Sequence, residues 1–333
     1  METRKVQVTG GSTFTVSIPK DWATDNDVSA GDELAFYPQE GSLVVSPRES
    51  DDKSEGVIDI TDLYGESLTR TVMTMYVSGF DVIVLESARI DAEQRQAIRS
   101  ATQSLVGLEV IEETGDRVVI QDLLDSSELS VYNAVTRMRL IALSMLEDAV
   151  TAVCENDDSL AEDVIERDDD VDRLWFMVSR IFRATLRTPK AAEELGIPRE
   201  ICFDYHSSAR QLERIADHAA KMAQHALQLG EIPPEVSEAL STLHDDAEGI
   251  VDTAMDALLL DDTDQAVELA NDARERVREI DQHTRTVDDR IRDLDAQQAQ
   301  LLGLVVDSLS RTADYGGNVA ETALQKAAPR PES

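Results

Sequence analysis

The stretch RQLERIADHAAKMAQHAL, Arg210 to Leu227, decides how the chain is read. Leu212, Ile215, Ala216, Ala219, Met222 and Leu227 fall on or near one stripe at the α-helical period, which predicts an amphipathic helix. Glu213 and Asp217 stand one turn apart, so both carboxylates leave the border of that stripe in the same direction. Ninety-seven residues later, DSLSRTADYGGNVAETAL, Asp307 to Leu324, repeats the helix in register through Leu309, Arg311, Ala313, Asp314, Ala320, Ala323 and Leu324. The echo keeps an aspartate at Asp314 and has Ser310 in place of the glutamate.

Everything beyond Glu128 reads as helix. Six helices are expected, over roughly Ser130–Asn156, Ser159–Leu195, Pro198–Leu229, Pro234–Leu260, Thr263–Asp295 and Ala296–Lys326. Asn156-Asp157-Asp158, Gly196-Ile197-Pro198, Gly230 to Pro234 and Asp261-Asp262 mark the breaks, and the last boundary carries no mark. The repeated helix is the third and the sixth, which predicts two three-helix bundles in tandem, residues 130–230 and 234–327.

The second helix holds IERDDDVDRLWFMVSRIF, with Val164, Val171, Leu174, Trp175, Val178 and Phe182 as its apolar stripe. Asp168 lies in line with that stripe and Asp172 one turn on, whereas Glu166, Asp169 and Asp170 fall on solvent faces. A carboxylate on a packing face is costly unless a partner or cation compensates it. Asp168/Asp172 and Glu213/Asp217 therefore form two pairs on neighbouring helices that should pack antiparallel. Hard cations take such clustered oxygens, and facing bundle helices commonly build the site. The bland alternative is that an acidic chain shows aspartates a turn apart on any helix.

DDDVD with Arg173-Leu174, and ERIAD with Ala219-Ala220-Lys221, resemble the E/D-x-x-x-D motifs of archaeal PhoU-like phosphate uptake regulators. That family is built of two three-helix repeats, and the resemblance spans both bundles. It implies divalent or trivalent metal ions at Asp168, Asp172, Glu213 and Asp217. It also implies a second site at Asp314, where Ser310 is a departure and ANDARERVREID offers Asp272 or Asp281 in no clear register. The role it implies is restraint of phosphate uptake and phosphate-responsive expression, through contact with phosphate ABC transporter components or a signalling partner.

At the amino terminus, residues 1–48 read as short strands: Lys5–Thr9, Thr13–Ile18, Glu33–Tyr37 and Ser42–Ser46, with a turn of helix, Lys20 to Thr24, after Pro19. Four strands this short cannot enclose a core, which predicts a dimer that satisfies the strand edges across its interface. RKVQVTGGSTFTVSIPKDWA followed by VSAGDELAFY is similar to the AbrB/SpoVT-type swapped-hairpin domain. The resemblance implies a homodimer that meets promoter DNA through Arg4, Lys5 and Lys20, fewer cations than such domains usually carry. The local balance is +2 over residues 1–20, where those three cations meet Glu2 alone. Dimerisation without DNA is the other reading.

Glu49 to Glu55 reads as a polar linker. Residues 56–124 form a small α/β unit: strands Gly56–Thr61, Asp81–Glu86, Leu108–Ile111 and Arg117–Ile120, and helices Leu63–Gly79 (through Leu68, Val72, Met75 and Val77) and Asp91–Val106. The fold class expected is thus multidomain: a small β swapped-hairpin domain, a small α/β domain, then all-α tandem three-helix bundles.

The chain carries 67 acidic against 31 basic side chains, net −36. Such self-repulsion is tolerable where molar salt cuts the screening length to ~3 Å, so the acidity reads as a salt-adapted habitat. An acidic partner-binding surface is the rival reading, and disorder is a poor one for a chain that is 42% hydrophobic and strongly periodic. Cys154 and Cys202 lie far apart, which excludes a disulfide framework and suggests two buried thiols in a reducing compartment. No apolar leader and no membrane-spanning run are seen, so a cytoplasmic, non-inserted protein is expected. No P-loop, nucleophile motif or Glu-x-x-His pair occurs, so no enzyme is expected. The expected function is a metal-binding regulator of phosphate uptake and phosphate-responsive transcription, coupled to a DNA-binding dimer. Its alternative is an adaptor that restrains a phosphate transporter by protein contact alone.

Overall fold

The computed structural model describes residues 3–39, 41–47, 53–124 and 130–329, so Glu49 to Asp52 of the expected linker fall outside the described residues. The chain clusters into two units, Met1–Asp52 and Lys53–Glu332.

In the first unit, β1 (Gln7–Thr9) pairs antiparallel with β2 (Thr13–Thr15), and Val8 sits opposite Phe14. Gly10 and Gly11 make the turn with φ of 64° and 84°, a left-handed region open to glycine at no steric cost. After Pro19 comes α1 (Lys20–Asp25), then the antiparallel pair β3 (Leu34–Gln39) and β4 (Ser42–Pro47). Within one chain this unit buries little: Tyr37 is its one buried large apolar residue among those described, while Val8 is 63% and Phe14 75% exposed.

The second unit begins with a four-stranded sheet in the order β5-β6-β8-β7, built from β5 (Glu55–Asp59), β6 (Val82–Glu86), β7 (Leu108–Glu113) and β8 (Arg117–Asp122). β5 and β6 are parallel, joined by α2 (Gly65–Val77); α3 (Ala92–Gln103) follows β6. Asp91 and Gln94 form a reciprocal capping box at the start of α3, and the buried Gln94 amide also donates to Ile60 O and Leu63 O. On α2, Tyr76 takes the buried position that the sequence spacing gave to Val77, because Leu68, Val72 and Tyr76 follow one another at single turns. Its hydroxyl donates to Val106 O at 3.0 Å.

The rest is helical: α4 (Val131–Glu155), α5 (Asp158–Arg187), α6 (Pro189–Glu194), α7 (Arg199–Leu229), α8 (Pro234–Leu259), α9 (Thr263–Ile291) and α10 (Ala296–Ala327). They share one continuous core, in which Leu212, Ile215, Ala216, Ala219 and Met222 are fully buried. Leu227 is instead 39% exposed, and Ala226 and Leu229 complete the stripe. The single helix expected over Ser159–Leu195 is two. Pro189 disfavours helical backbone at the residue before it, Thr188 turns extended (φ −128°, ψ 138°), and its hydroxyl caps α6 by accepting from Ala191 N. The unmarked break before Ala296 is made by Asp295, which accepts from Gln297 N and Gln298 N. Cys202 is buried but Cys154 only partly so, a correction to the expectation of two buried thiols. Among the described residues, no helix is long and apolar enough to cross a membrane.

Two features of this packing matter below. Arg180 of α5 reaches the α/β layer, donating to Tyr76 O at 2.8 Å, Phe80 O at 3.0 Å, Asp81 at 3.0 Å and Asp122 at 2.9 Å, with its guanidinium over the Tyr76 ring. Meanwhile α7 and α10 run antiparallel. His218 meets Ser308 Oγ at 3.1 Å and the Tyr315 hydroxyl at 3.4 Å, and Asn318 donates to Gln211 at 3.2 Å. Since Tyr315 is the repeat equivalent of His218 and Ser308 that of Gln211, the two copies are related here by a local twofold.

Gly316 of α10 rests on α8, where a Cβ would lie 2.9 Å from Ile250 Cγ2 and 3.1 Å from the Val251 backbone nitrogen. Gly316→Ala gains up to ~1 kcal/mol of helix propensity but pays an overpacking cost of ~1–3 kcal/mol, since backbone cannot give way. We expect a net loss of stability, read as a lower midpoint in thermal unfolding; an unchanged or higher midpoint would mean that α8 and α10 can separate freely.

Candidate functional site

The expected carboxylates come together on the outer face of α5 and α7. Glu213 is buried, while Asp168, Asp172 and Asp217 are half-buried. Burial first, then the charges of Asp172 and Asp217, push the Asp168 carboxyl up to about 6. Asp172 is pushed up to about 6 in the same way, by burial and then by Glu213 and Asp217. Each pair thus feels the other across the helix contact. Burial also raises Glu213, against the pull of Arg210, whose Nη1 donates to Oε1 at 2.6 Å. Glu213 Oε2 is buried and has no hydrogen-bond donor.

Oxygen donors from two helices, mutual repulsion and an orphaned buried oxygen fit a hard cation in charge and chemistry. The spacing is open: among the described residues, no three His, Cys, Asp or Glu side chains are gathered as a ready ion site. Holding an ion here would require side-chain rotation.

The repulsion has a measurable consequence. Asp168 and Asp172 have folded-state values near 6, above the ordinary 3.8, so the folded chain binds more protons than the unfolded chain between about 4 and 6. Their contribution to stability is therefore largest below pH 4 and is lost as pH rises through 6. The double variant Asp168→Asn, Asp172→Asn should be more stable than the parent at pH 7.5 by about 1–2 kcal/mol, after discounting for solvent screening. It should also flatten the stability profile between about pH 4 and 6. Chemical denaturation of chelator-treated protein reads both, and a destabilised variant would show that the carboxylates are not in conflict.

In the second repeat Asp314 is 54% exposed and lies with Asp307 near Arg311. Arg274 of α9 pairs with Glu321 of α10 at 2.9 Å, and Val277 lies against Gly317. Counting turns along this antiparallel pair sets Asp281, not Asp272, across from Asp314, and Arg285 across from Ser310. A cation and a hydroxyl thus replace Asp172 and Glu213 in the second copy. In the amino-terminal unit, Arg4, Lys5 and Lys20 are all exposed.

Comparison with known proteins falls on these same segments. Residues 135–226, which include all four carboxylates of the first repeat, match the family model described as the PhoU domain. Residues 7–53 match the model described as antidote-toxin recognition MazE, bacterial antitoxin. The chain is 29% identical over 196 residues to the phosphate-specific transport system accessory protein PhoU homolog of Pseudomonas putida, covering 56% of this chain and 75% of that one. It is 34% identical over 101 residues to the protein of the same description from Xylella fastidiosa, covering 30% and 41%. The crystal structure of PhoU from Pseudomonas aeruginosa superposes with a TM-score of 0.50 at 25% identity, covering 58% of this chain and 93% of that one. The helical part therefore has the bundle architecture typical of PhoU, behind a small strand domain and a small α/β domain.

Sequence reading passed over a second feature of the α5–α7 face, a row of rings. Trp175 and Phe182 pack against the core as their stripe predicts, but both are only half-buried and flank His206 of α7. The signal was present in charge: residues 173–190 hold five basic and no acidic side chains in a chain of net −36.

Proposed function

We propose that this chain is a cytoplasmic homodimeric regulator of phosphate uptake, acting as a non-catalytic accessory to a phosphate transport system. The observation that carries this reading is the coincidence of the four-carboxylate face with the segment that matches the PhoU domain. The relatives described as phosphate-specific transport system accessory proteins support it.

In this reading Asp168, Asp172, Glu213 and Asp217 hold a divalent or trivalent cation, whose chemistry is neutralisation of clustered negative charge. The residues around the face supply the rest. Arg210 holds Glu213 Oε1 and leaves the buried Oε2 without a donor, while Lys221 stands 3.5 Å from Asp217 and partly offsets the negative charge of the face. The helix α5 carries both aspartates and, two to three turns further on, Arg180, so a shift of α5 is passed to the α/β layer. The amino-terminal unit then meets promoter DNA through Arg4, Lys5 and Lys20.

Fluorescence anisotropy with promoter DNA, with and without phosphate and divalent metal, tests the coupling; identical affinity in every condition would defeat it. Metal analysis of parent and Glu213→Ala tests the site, and equal metal in both would remove Glu213 from it. A second reading, the adaptor without DNA contact, is favoured by one observation: three exposed cations are few for phosphate contact, and affinity from so few falls steeply with salt. Lys5→Ala with Lys20→Ala should lower DNA affinity by about tenfold or more at low salt if DNA is bound. No loss would leave the adaptor.

A further inference from the structure

Where α4 of the first repeat meets α8 of the second, a histidine is buried with half of its hydrogen bonding unmet. His244 of α8 is 6% exposed, and its Nδ1 stands 3.2 Å from Asp245 Oδ1. A carboxylate can only accept, so Nδ1 carries the proton and the ring lone pair is left at Nε2. That nitrogen is buried and has no hydrogen-bond partner among the described residues. Glu248 stands one turn on along the same face, with Oε2 3.9 Å from Nε2. The gap is too long for a hydrogen bond, and a small rotation of Glu248 brings both atoms within reach of one ion.

The facing helix supplies a third group. Cys154 Sγ meets Ser237 O at 3.8 Å and Arg139 Nε donates to Asp252 Oδ1 at 2.9 Å, so α4 and α8 run antiparallel. Counting along both helices from either contact sets Glu147 of α4 opposite His244. The two are also repeat equivalents, ninety-seven residues apart, so the local twofold passes between them. Burial raises the Glu248 carboxyl first; His244 pulls it down, while Glu147, Asp252 and Asp245 push it further up. Arg139 is committed to Asp252 and Asp256, and among the described residues neither Glu147 nor Glu248 pairs with an arginine or lysine.

We propose that His244 Nε2, Glu248 and Glu147 bind a late first-row divalent ion such as zinc, which ties the first repeat to the second. An imidazole nitrogen with carboxylates suits such ions, whereas the all-oxygen face of α5 and α7 suits harder ones. Asp245 is a positioning residue: a carboxylate on the far ring nitrogen fixes the tautomer and makes the ligating nitrogen more basic. Glu147, exposed on α4, turns inward to complete the set, and solvent reaches the ion from the side where Glu248 is 35% exposed. The site is separate from the carboxylates of α5 and α7 and stands apart from any role in phosphate transport.

Equilibrium dialysis of the full chain against zinc tests it, with free zinc set by nitrilotriacetate and molar sodium chloride present to screen loose binding to the acidic surface. The parent should hold one zinc that His244→Gln lacks and Glu213→Ala keeps, which separates this site from the α5–α7 face. Zinc should also raise the melting temperature of the parent and leave that of His244→Gln unmoved. Asp245→Ala should weaken the zinc by about 10–100-fold, and Glu147→Ala by about tenfold or more, both melting near the parent when zinc is absent. Equal zinc in the parent and His244→Gln, or zinc lost only in Glu213→Ala, would overturn the proposal. Parent affinity in both Asp245→Ala and Glu147→Ala would overturn it too, even if His244→Gln failed to fold.

Discussion

Arg180→Ala is expected to cost about 3–5 kcal/mol, the usual penalty for removing one member of a buried ion pair. The guanidinium is 10% exposed and so is the Asp122 side chain it faces, so truncation leaves a charge with little access to water. Asp122 keeps one donor, the Leu124 backbone N–H, but its Oδ2 loses Arg180, and Phe80 O loses its donor as well. The loss should appear as a fall in melting temperature of roughly 10 °C. Hydrogen exchange should rise first in α2 and β6, whose ends Arg180 holds, while α7 and α10 stay protected. Arg180→Lys should fall between, since an ammonium supplies the charge without the forked geometry that reaches two carboxylates and two carbonyls. A variant as stable as the parent would mean that the α/β layer is held by its apolar contacts alone.

Phe14→Asp is expected to turn the dimer proposed above into a monomer. The ring is 75% exposed in the single chain, and so are most of the apolar side chains around it, including Val6 at 65% and Val16 at 57%. Burying one such side chain is worth ~1.5–3 kcal/mol, and a twofold dimer buries it twice, so the dissociation constant should rise by roughly 10²–10⁴-fold. Light scattering at micromolar concentration reads the change directly, and circular dichroism should show the helices of the second unit intact. A parent chain that is already monomeric under these conditions would overturn the dimer.

The helical half was readable because its signal is periodic and long. Two copies of one helix, spaced by ninety-seven residues, pointed to two repeats of three long helices, which the structure has, with the short α6 in addition. Two starts were legible for the same reason: Asp157 and Asp262, within the marked breaks, each accept from a backbone N–H at a helix start, whereas Asp295 caps α10 at a boundary that the sequence left unmarked. The break at Thr188 was missed although Pro189 was in plain view, because the apolar pattern ran straight through it. Tyr76 and Leu227 show the same limit on a smaller scale. Periodicity assigns a face to within one position, and neighbouring helices decide which of two adjacent residues turns inward.

The site divides along similar lines. Spacing within a helix placed Asp168 with Asp172 and Glu213 with Asp217, and packing then brought the pairs together. One helix does not carry its register against the next, so the choice between Asp272 and Asp281 rests on the Arg274–Glu321 pair across α9 and α10. Arg180 was invisible for the same reason: its partners lie about a hundred residues earlier, and nothing nearby in the chain announces them.

The crossing of α7 and α10 bears on how such a molecule can diversify. Where two identical chains meet on a symmetry axis, a side chain on that axis faces its own kind, and a histidine would have to accommodate another histidine. Joining both halves in one gene releases that constraint, and here His218 faces Tyr315, a partner able to donate to a ring nitrogen. The same freedom allows Glu213 in one half and Ser310 at the equivalent place in the other, a difference closed to any pair of equal subunits.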